Sequence, residues 1–231
     1  TLQEKHLTIS AEGSRSKVKY FYSDPSAYKE GLAGVYANLS LTGTDGADNS
    51  NISGLDAGTS QYGRGLWNLQ ELTTDEALWT WENDPGLREL NRDTWTADNV
   101  VLRGMFGRTM TSVAFANEYL RQTTDDLLDA RGVSGSLREE IATYRAEVRF
   151  LRALAYYHMM DLFGKAPFVT EDDPVGAYQA PQYNRAELFS YIENELNDIN
   201  QERDTEKFIP FTTLPSLTSR HGIILILSIF I

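Results

Sequence analysis

The strongest constraint on the fold is the stretch from Ser136 to Pro167, which has the spacing of one long helix. Its period of three to four places the apolar side chains in a single stripe, and a second row widens that stripe, so we expect neighbours on more than one side. At 1.5 Å per residue the helix would be roughly 40 Å long. Other helices must therefore align along it, and we predict an all-α protein. The stripe residues are Ile141, Tyr144, Val148, Leu151, Ala155, Met159 and Leu162, with Phe150, Leu154 and Tyr157 in the second row.

Both ends of this helix carry local signals. Ser136 followed by Glu139 predicts a capping box, in which hydroxyl and carboxylate each accept an N–H of the first turn. Gly164 predicts a left-handed residue after the last turn, and Pro167 prevents the helix from resuming.

Shorter helical patterns flank the long one, from Tyr28 to Leu39, from Leu102 to Leu120, and after a second capping box at Asn184 and Glu187. A Gly-, Ser-, Asp- and Asn-rich stretch from residue 40 to 63 predicts a long loop. The next segment, 64–71, fits either a short strand or a helical turn. We predict three parts, which are an irregular segment 1–22, a helical domain 23–203 and an atypical tail 204–231.

Composition excludes several classes of function. The formal net charge of the 231 residues is −12, and no basic stripe is present, so we expect no nucleic-acid partner. There are no cysteines, which excludes disulfides, thiolate metal sites and cysteine nucleophiles. The longest apolar run, Ile223 to Ile231, is too short to span a bilayer as a helix.

The most informative short motif is Trp79-Thr80-Trp81. Side chains at i and i+2 point the same way in an extended chain, whereas in a helix they diverge. Polar residues surround the pair, with Asn83 after it and Arg64 upstream. Two neighbouring indole faces with polar side chains around them predict a platform for a sugar. The alternative is that both tryptophans are packing residues, since tryptophan is usually buried.

Catalytic and metal sites are less well supported. Glu76 with Glu82, or Asp75 with Asp84, could serve a glycosidase, which needs two carboxyl groups at a set separation, but acidic residues are common here. The histidines lack metal-ligand spacing, and His158, within the long helix, is expected to be a hydrogen-bonded packing residue. We predict no catalytic residue, metal or cofactor.

The region around the long helix resembles the RagB/SusD family of Bacteroidetes outer-membrane lipoproteins. The similar residues are AEVRFLRA, a tyrosine pair, DLFGKAPFV and then RAELFSYIENELNDI. Upstream, NLQELTTDEALWTWEND and TWTADNVVLRGMFGRTMTSVAFANEYL extend the resemblance, which is closest to the starch-binding members. It implies that segment 23–203 is the N-terminal helical domain of such a protein, with tetratricopeptide-like helix pairs and long loops, incomplete relative to the family fold.

The resemblance also implies a function. Family members sit on the extracellular face of the outer membrane, bind oligosaccharides without cleaving them, and pass them to a TonB-dependent transporter of the SusC type. Starch binders hold the glucan with a Trp-x-Trp pair, an upstream arginine and a following asparagine. In this sequence these are Trp79 and Trp81, Arg64, and Asn83, or Asp84 if the alignment is ungapped.

Three departures qualify what the resemblance implies. The cysteine that carries the lipid anchor is not in this chain, the chain is shorter than family members, and a Pro-rich then Ile-rich tail follows Phe211 where a helix is expected. Further aromatics of the family's binding arc are therefore missing, which lowers the expected affinity. The alternative is a helical-repeat scaffold for protein interactions that has no sugar site.

Overall fold

The computed structural model describes residues 21–43, 49–81, 83–176 and 179–205, so most of the predicted segments 1–22 and 204–231 lies outside the described residues. Within that part the chain forms helices and one short antiparallel ribbon. In chain order the elements are α1 (Ala27–Ala37), α2 (Tyr62–Glu71), α3 (Leu87–Asn91), α4 (Val100–Gln122), α5 (Asp125–Ala130), α6 (Ser136–Phe163), β1 (Lys165–Pro167), β2 (Gln182–Asn184) and α7 (Arg185–Thr205).

The all-α prediction is confirmed, with one addition. β1 and β2 pair antiparallel, with Ala166 opposite Tyr183, and they form the only sheet in the described ranges. No helix in those ranges is both long and apolar enough to cross a membrane. Tetratricopeptide-like pairing of the helices stays a prediction. The packing described below concerns the compact unit that ends at Leu196; of the second unit, 197–231, residues 197–205 are described and are helical.

The long helix is α6, and its ends correct one of the two cap predictions. Gly164 adopts the left-handed conformation (φ 70°) and donates its N–H to the carbonyl of Met160 at 3.0 Å, as predicted. The capping box at Ser136 is wrong, because the N-cap is Gly135, which makes no side-chain cap hydrogen bond. Gly135 has φ 62°, a conformation open to glycine, so the helix starts one residue earlier and Ser136 lies inside its first turn.

The second predicted capping box is confirmed at the start of α7. The Asn184 side chain accepts the N–H groups of Ala186 and Glu187 at 2.9 and 3.1 Å. The Glu187 carboxylate accepts the N–H of Asn184 at 2.7 Å. This reciprocal pattern satisfies donors that the first turn leaves unpaired.

α4 and α6 run antiparallel, since contacts join the start of each helix to the end of the other. Phe106 packs against Phe163 with ring centroids 5.5 Å apart. At the opposite end, Arg145 donates to the carbonyl of Leu120 at 3.0 Å. Apolar side chains from α1, α4 and α6 fill the space between them: Leu32, Val35, Ala116, Tyr119, Leu120, Val148 and Leu151.

A buried arginine connects α4 to the loop that precedes α2. Arg108 is almost completely buried and donates to the carbonyl of Ser60 at 2.7 Å and to the side-chain oxygen of Asn51 at 2.6 Å. It also donates to Asn38 and to the carbonyl of Thr42, each at 3.0 Å. These bonds fix the loop immediately before α2 begins, so Arg108 sets where α2 lies.

His158 has the predicted packing role. It is buried, and its Nδ1 lies 2.6 Å from the hydroxyl oxygen of Tyr62. This hydrogen bond joins α6 to the first residue of α2. Burial lowers the pKa of His158 to about 4, so the ring is uncharged in the folded protein at neutral pH.

This burial predicts a loss of stability in mild acid. The unfolded chain binds a proton at His158 below about pH 6.5, which the folded chain does not bind until about pH 4, so stability falls as pH is lowered through this window. We expect His158 to account for about 3 kcal/mol of that fall. Urea unfolding of wild type and His158→Gln at pH 7, 5.5 and 4 measures this contribution. It is the difference in pH dependence between the two proteins, in which the groups common to both cancel. Equal pH dependence in the two proteins would contradict the prediction.

Candidate functional site

The segment 64–71, which the sequence leaves open between strand and helical turn, belongs to helix α2. Its N-cap is Gln61, whose side chain accepts the N–H of Arg64. The apolar face of α2 packs inward through Tyr62 and Leu69. Arg64 and Trp67 are three residues apart and therefore share another face of the helix, where Trp67 is 42% exposed.

The segment containing Trp79 and Trp81 is not helical, as the sequence motif requires. Trp81 is 71% exposed. Trp79 is half-buried and packs against the apolar cluster formed by α2, α3 and the start of α4. The structure therefore directs Trp81 outward, while Trp79 is partly a packing residue.

The three indoles form a continuous row, which we call the indole row (Trp67, Trp79 and Trp81). The ring centroids of Trp67 and Trp79 are 6.0 Å apart with 58° between their planes. Those of Trp79 and Trp81 are 6.4 Å apart at 86°. The three rings are therefore not coplanar: Trp67 is tilted against Trp79, and Trp79 meets Trp81 edge to face, an arrangement that aromatic quadrupoles favour.

Arg64 lies at the centre of this row. Its guanidinium carbon is 5.3 Å from the centroid of the Trp79 ring, a cation–π distance. Its Nη2 donates to Oδ2 of Asp84 at 2.9 Å, and both side chains are partly exposed. An ion pair of fixed geometry therefore lies beside the rings and presents both donors and acceptors.

A turn brings Asp84 to this position. The N–H of Asp84 donates to the carbonyl of Trp81 at 3.0 Å. Gly86 follows with φ 82°, and a Cβ there would lie 2.9 Å from Val100, so glycine is required. Asn83 is exposed at the tip of the turn. Asp84, rather than Asn83, is therefore the residue that contacts Arg64.

Sequence reasoning missed two features of this site. It assigned no role to Trp67, although the spacing Arg64-x-x-Trp67 would place both on one helix face if the segment were helical. It also matched the family's asparagine to Asn83, or to Asp84 without a gap, and did not predict the ion pair of Arg64 with Asp84. Both depend on contacts between distant residues, such as the pair Arg64–Asp84, twenty positions apart.

Two other types of site, for a metal ion and for a pair of catalytic carboxyls, concern the acidic side chains. In the described ranges, no group of three or more His, Cys, Asp or Glu side chains could hold a metal ion. Of the acidic residues considered for a glycosidase, Glu82 lies outside the described residues, and Asp84 is engaged by Arg64.

Comparison with known proteins identifies a relative. The chain is 36% identical over 180 residues to the starch-binding protein SusD of Bacteroides thetaiotaomicron. The match takes in 76% of this chain and 30% of that protein, so the chain spans less than a third of its relative's length. No family model matches the chain. The identity with SusD confirms the resemblance drawn from the sequence motifs and supports a SusD-like family for the matched region.

Proposed function

We propose that this chain is part of a cell-surface glycan-binding protein whose ligand is a starch-like α-glucan. The observation that carries the proposal is the exposed indole of Trp81, 71% accessible and set beside the Arg64–Asp84 ion pair. An exposed apolar ring next to a few fixed polar groups is the combination that orients a small ligand. Similarity to a starch-binding relative supports the choice of glycan.

The proposed ligand-binding residues are Arg64, Trp79, Trp81 and Asn83. Trp81 would stack against the C–H face of a sugar ring, and Trp79, behind it, would hold Trp81 in position. Arg64 would donate to hydroxyls. Asn83, exposed at the tip of the turn, offers both a donor and an acceptor.

Truncation of Trp81 tests this proposal. We expect Trp81→Ala to bind maltoheptaose at least tenfold more weakly than wild type, because a hot-spot aromatic carries more than 1.4 kcal/mol of binding energy. Isothermal titration calorimetry measures the dissociation constants. The fold should be unaffected, since most of the ring is exposed.

The matched control is Leu78→Ala, which removes an apolar side chain that is 78% exposed and lies three positions earlier in the same segment. We expect it to bind as wild type does. Equal affinity of wild type and Trp81→Ala would remove the assigned platform, and equal weakening of both variants would show a general effect of the segment.

The second candidate is a helical scaffold for protein interactions with no sugar site. The half-burial of Trp79 against the apolar cluster favours it. Iodide quenching of tryptophan fluorescence separates the two. A glycan site predicts that added maltoheptaose shields Trp81 from quenching, whereas a scaffold predicts quenching that the sugar leaves unchanged.

The remaining parts of the proposal follow from the family resemblance. We propose that the whole protein lies on the extracellular face of the outer membrane, passes oligosaccharides to a SusC-like TonB-dependent transporter, and does not cleave them. Co-purification with its co-expressed transporter tests the partnership. Release of new reducing ends from starch by the purified chain would contradict a purely binding role.

A further inference from the structure

We propose that Trp67, on helix α2, is a further ligand-binding residue that extends the glucan site from a single stacking position to two. This inference rests on the proposed function. It concerns a residue outside the Trp79-x-Trp81 motif, twelve positions earlier in the chain.

The first argument is exposure. In the indole row, the two outer rings are accessible, Trp67 at 42% and Trp81 at 71%. The middle ring, Trp79, is half-buried, and the Arg64 guanidinium lies over it, 5.3 Å from its centroid. A ligand on this surface therefore meets Trp67 and Trp81 more readily than Trp79.

The second argument is the spacing of the row. Trp67 lies 6.0 Å from Trp79, and Trp79 lies 6.4 Å from Trp81, between ring centroids. The outer rings are therefore no more than about 12 Å apart, the two distances taken end to end. Within the described residues these two rings make no ring contact with each other, while each contacts Trp79, so separate units of one oligosaccharide can stack on Trp67 and Trp81.

The third argument is how firmly Trp67 is held. Trp67 lies on α2, and the inner face of this helix packs in the apolar cluster through Tyr62 and Leu69. Arg64, one turn earlier on the same face, is tied to Asp84 at 2.9 Å. A side chain on a fixed helix loses little freedom on binding, which favours affinity. Trp79 is then a positioning residue between two contact residues.

The test compares the binding of a long and a short glucan. For maltoheptaose, which can reach both outer rings, we expect Trp67→Ala to weaken binding about tenfold, the effect of losing one aromatic contact. For maltose, which needs only one ring, we expect less than about a twofold change, since Trp81 remains. Calorimetry on the full 231-residue chain gives both dissociation constants.

The matched control is Trp95→Ala, which removes an indole of nearly equal exposure, 40%, that makes no ring contact with the row in the described residues. It should bind both sugars as wild type does. Equal maltoheptaose affinity in wild type and Trp67→Ala, with Trp81→Ala impaired, would overturn the role of Trp67 and leave the proposed function intact. Weakening of maltose and maltoheptaose to the same degree would also overturn it, and absence of binding by wild type would overturn both proposals.

Discussion

Replacing Arg152 with methionine should lower the free energy of unfolding by about 3–5 kcal/mol, the cost of removing one partner from a buried ion pair. Arg152 is buried on α6. It donates to Glu195 on α7 at 3.0 Å, to Asn117 on α4 at 2.8 Å, and to Glu171 in the segment after β1. Methionine keeps an unbranched apolar stem but leaves Glu195 and Glu171 without that cation.

The pH dependence of the variant identifies the cause. Burial acts to raise the pKa of Glu171, but the Arg152 guanidinium outweighs it and holds that pKa below its usual value. Without Arg152, the partly buried Glu171 carboxyl can take up a proton, so the destabilisation should shrink as pH is lowered. Urea denaturation of wild type and Arg152→Met at pH 7 and pH 4.5 measures the change.

Arg138→Met is the control for loss of a cation from the same helix. Arg138 pairs with Asp125 and Asp129, whose carboxylates are largely exposed, and exposed ion pairs contribute little. We expect a much smaller loss than for Arg152→Met. If both variants lost the same stability, burial of the ion pair would not be the cause.

The second large effect is expected at Arg108. Arg108→Met should lower the free energy of unfolding by about 3–5 kcal/mol, because several acceptors, among them those of the buried Asn38 and Ser60, lose their donor at once and each unsatisfied buried group costs about 1–3 kcal/mol. The acceptors include the carbonyls of Ser60 and Thr42 and the side chains of Asn38 and Asn51. Thermal and urea denaturation measure the loss.

Arg108→Met should also weaken maltoheptaose binding, although Arg108 is not part of the proposed site. The loop that it fixes at Ser60 leads directly into α2, which carries Arg64 and Trp67. The control is Arg103→Met, an exposed arginine on the same helix, for which we expect a stability change within about 0.5 kcal/mol. A destabilised Arg108→Met protein with wild-type glucan affinity under folding conditions would show that α2 keeps its position without this anchor.

Local sequence signals account for most of the fold. The three-to-four spacing in α6 predicts both the helix and its buried side chains, since period alone fixes which side chains share a face. Gly164 correctly predicts the end of α6, and the capping box at Asn184 correctly predicts the start of α7, because their hydrogen bonds join residues only a few positions apart. The error at Ser136 is also local: serine is the stronger N-cap residue in sequence terms, but Gly135, with φ 62°, occupies that position.

The candidate site is only partly encoded locally. The motif at Trp79 and Trp81 identifies two of the three rings, and the resemblance assigns Arg64 as their partner. Whether the segment 64–71 is strand or helix decides which residues lie beside Arg64, and the short apolar pattern fits both. Trp67 lies in the indole row only because that segment is helical.

The sequence by itself determined the helical class, the C-terminal end of the long helix, the family resemblance and the Trp79–Trp81 motif, because each depends on residues that are neighbours along the chain. Only the tertiary structure decided the angle between the indoles, the pairing of Arg64 with Asp84 and the inclusion of Trp67. These depend on how side chains from separate helices and turns pack against one another, and such contacts leave no periodic trace in the sequence.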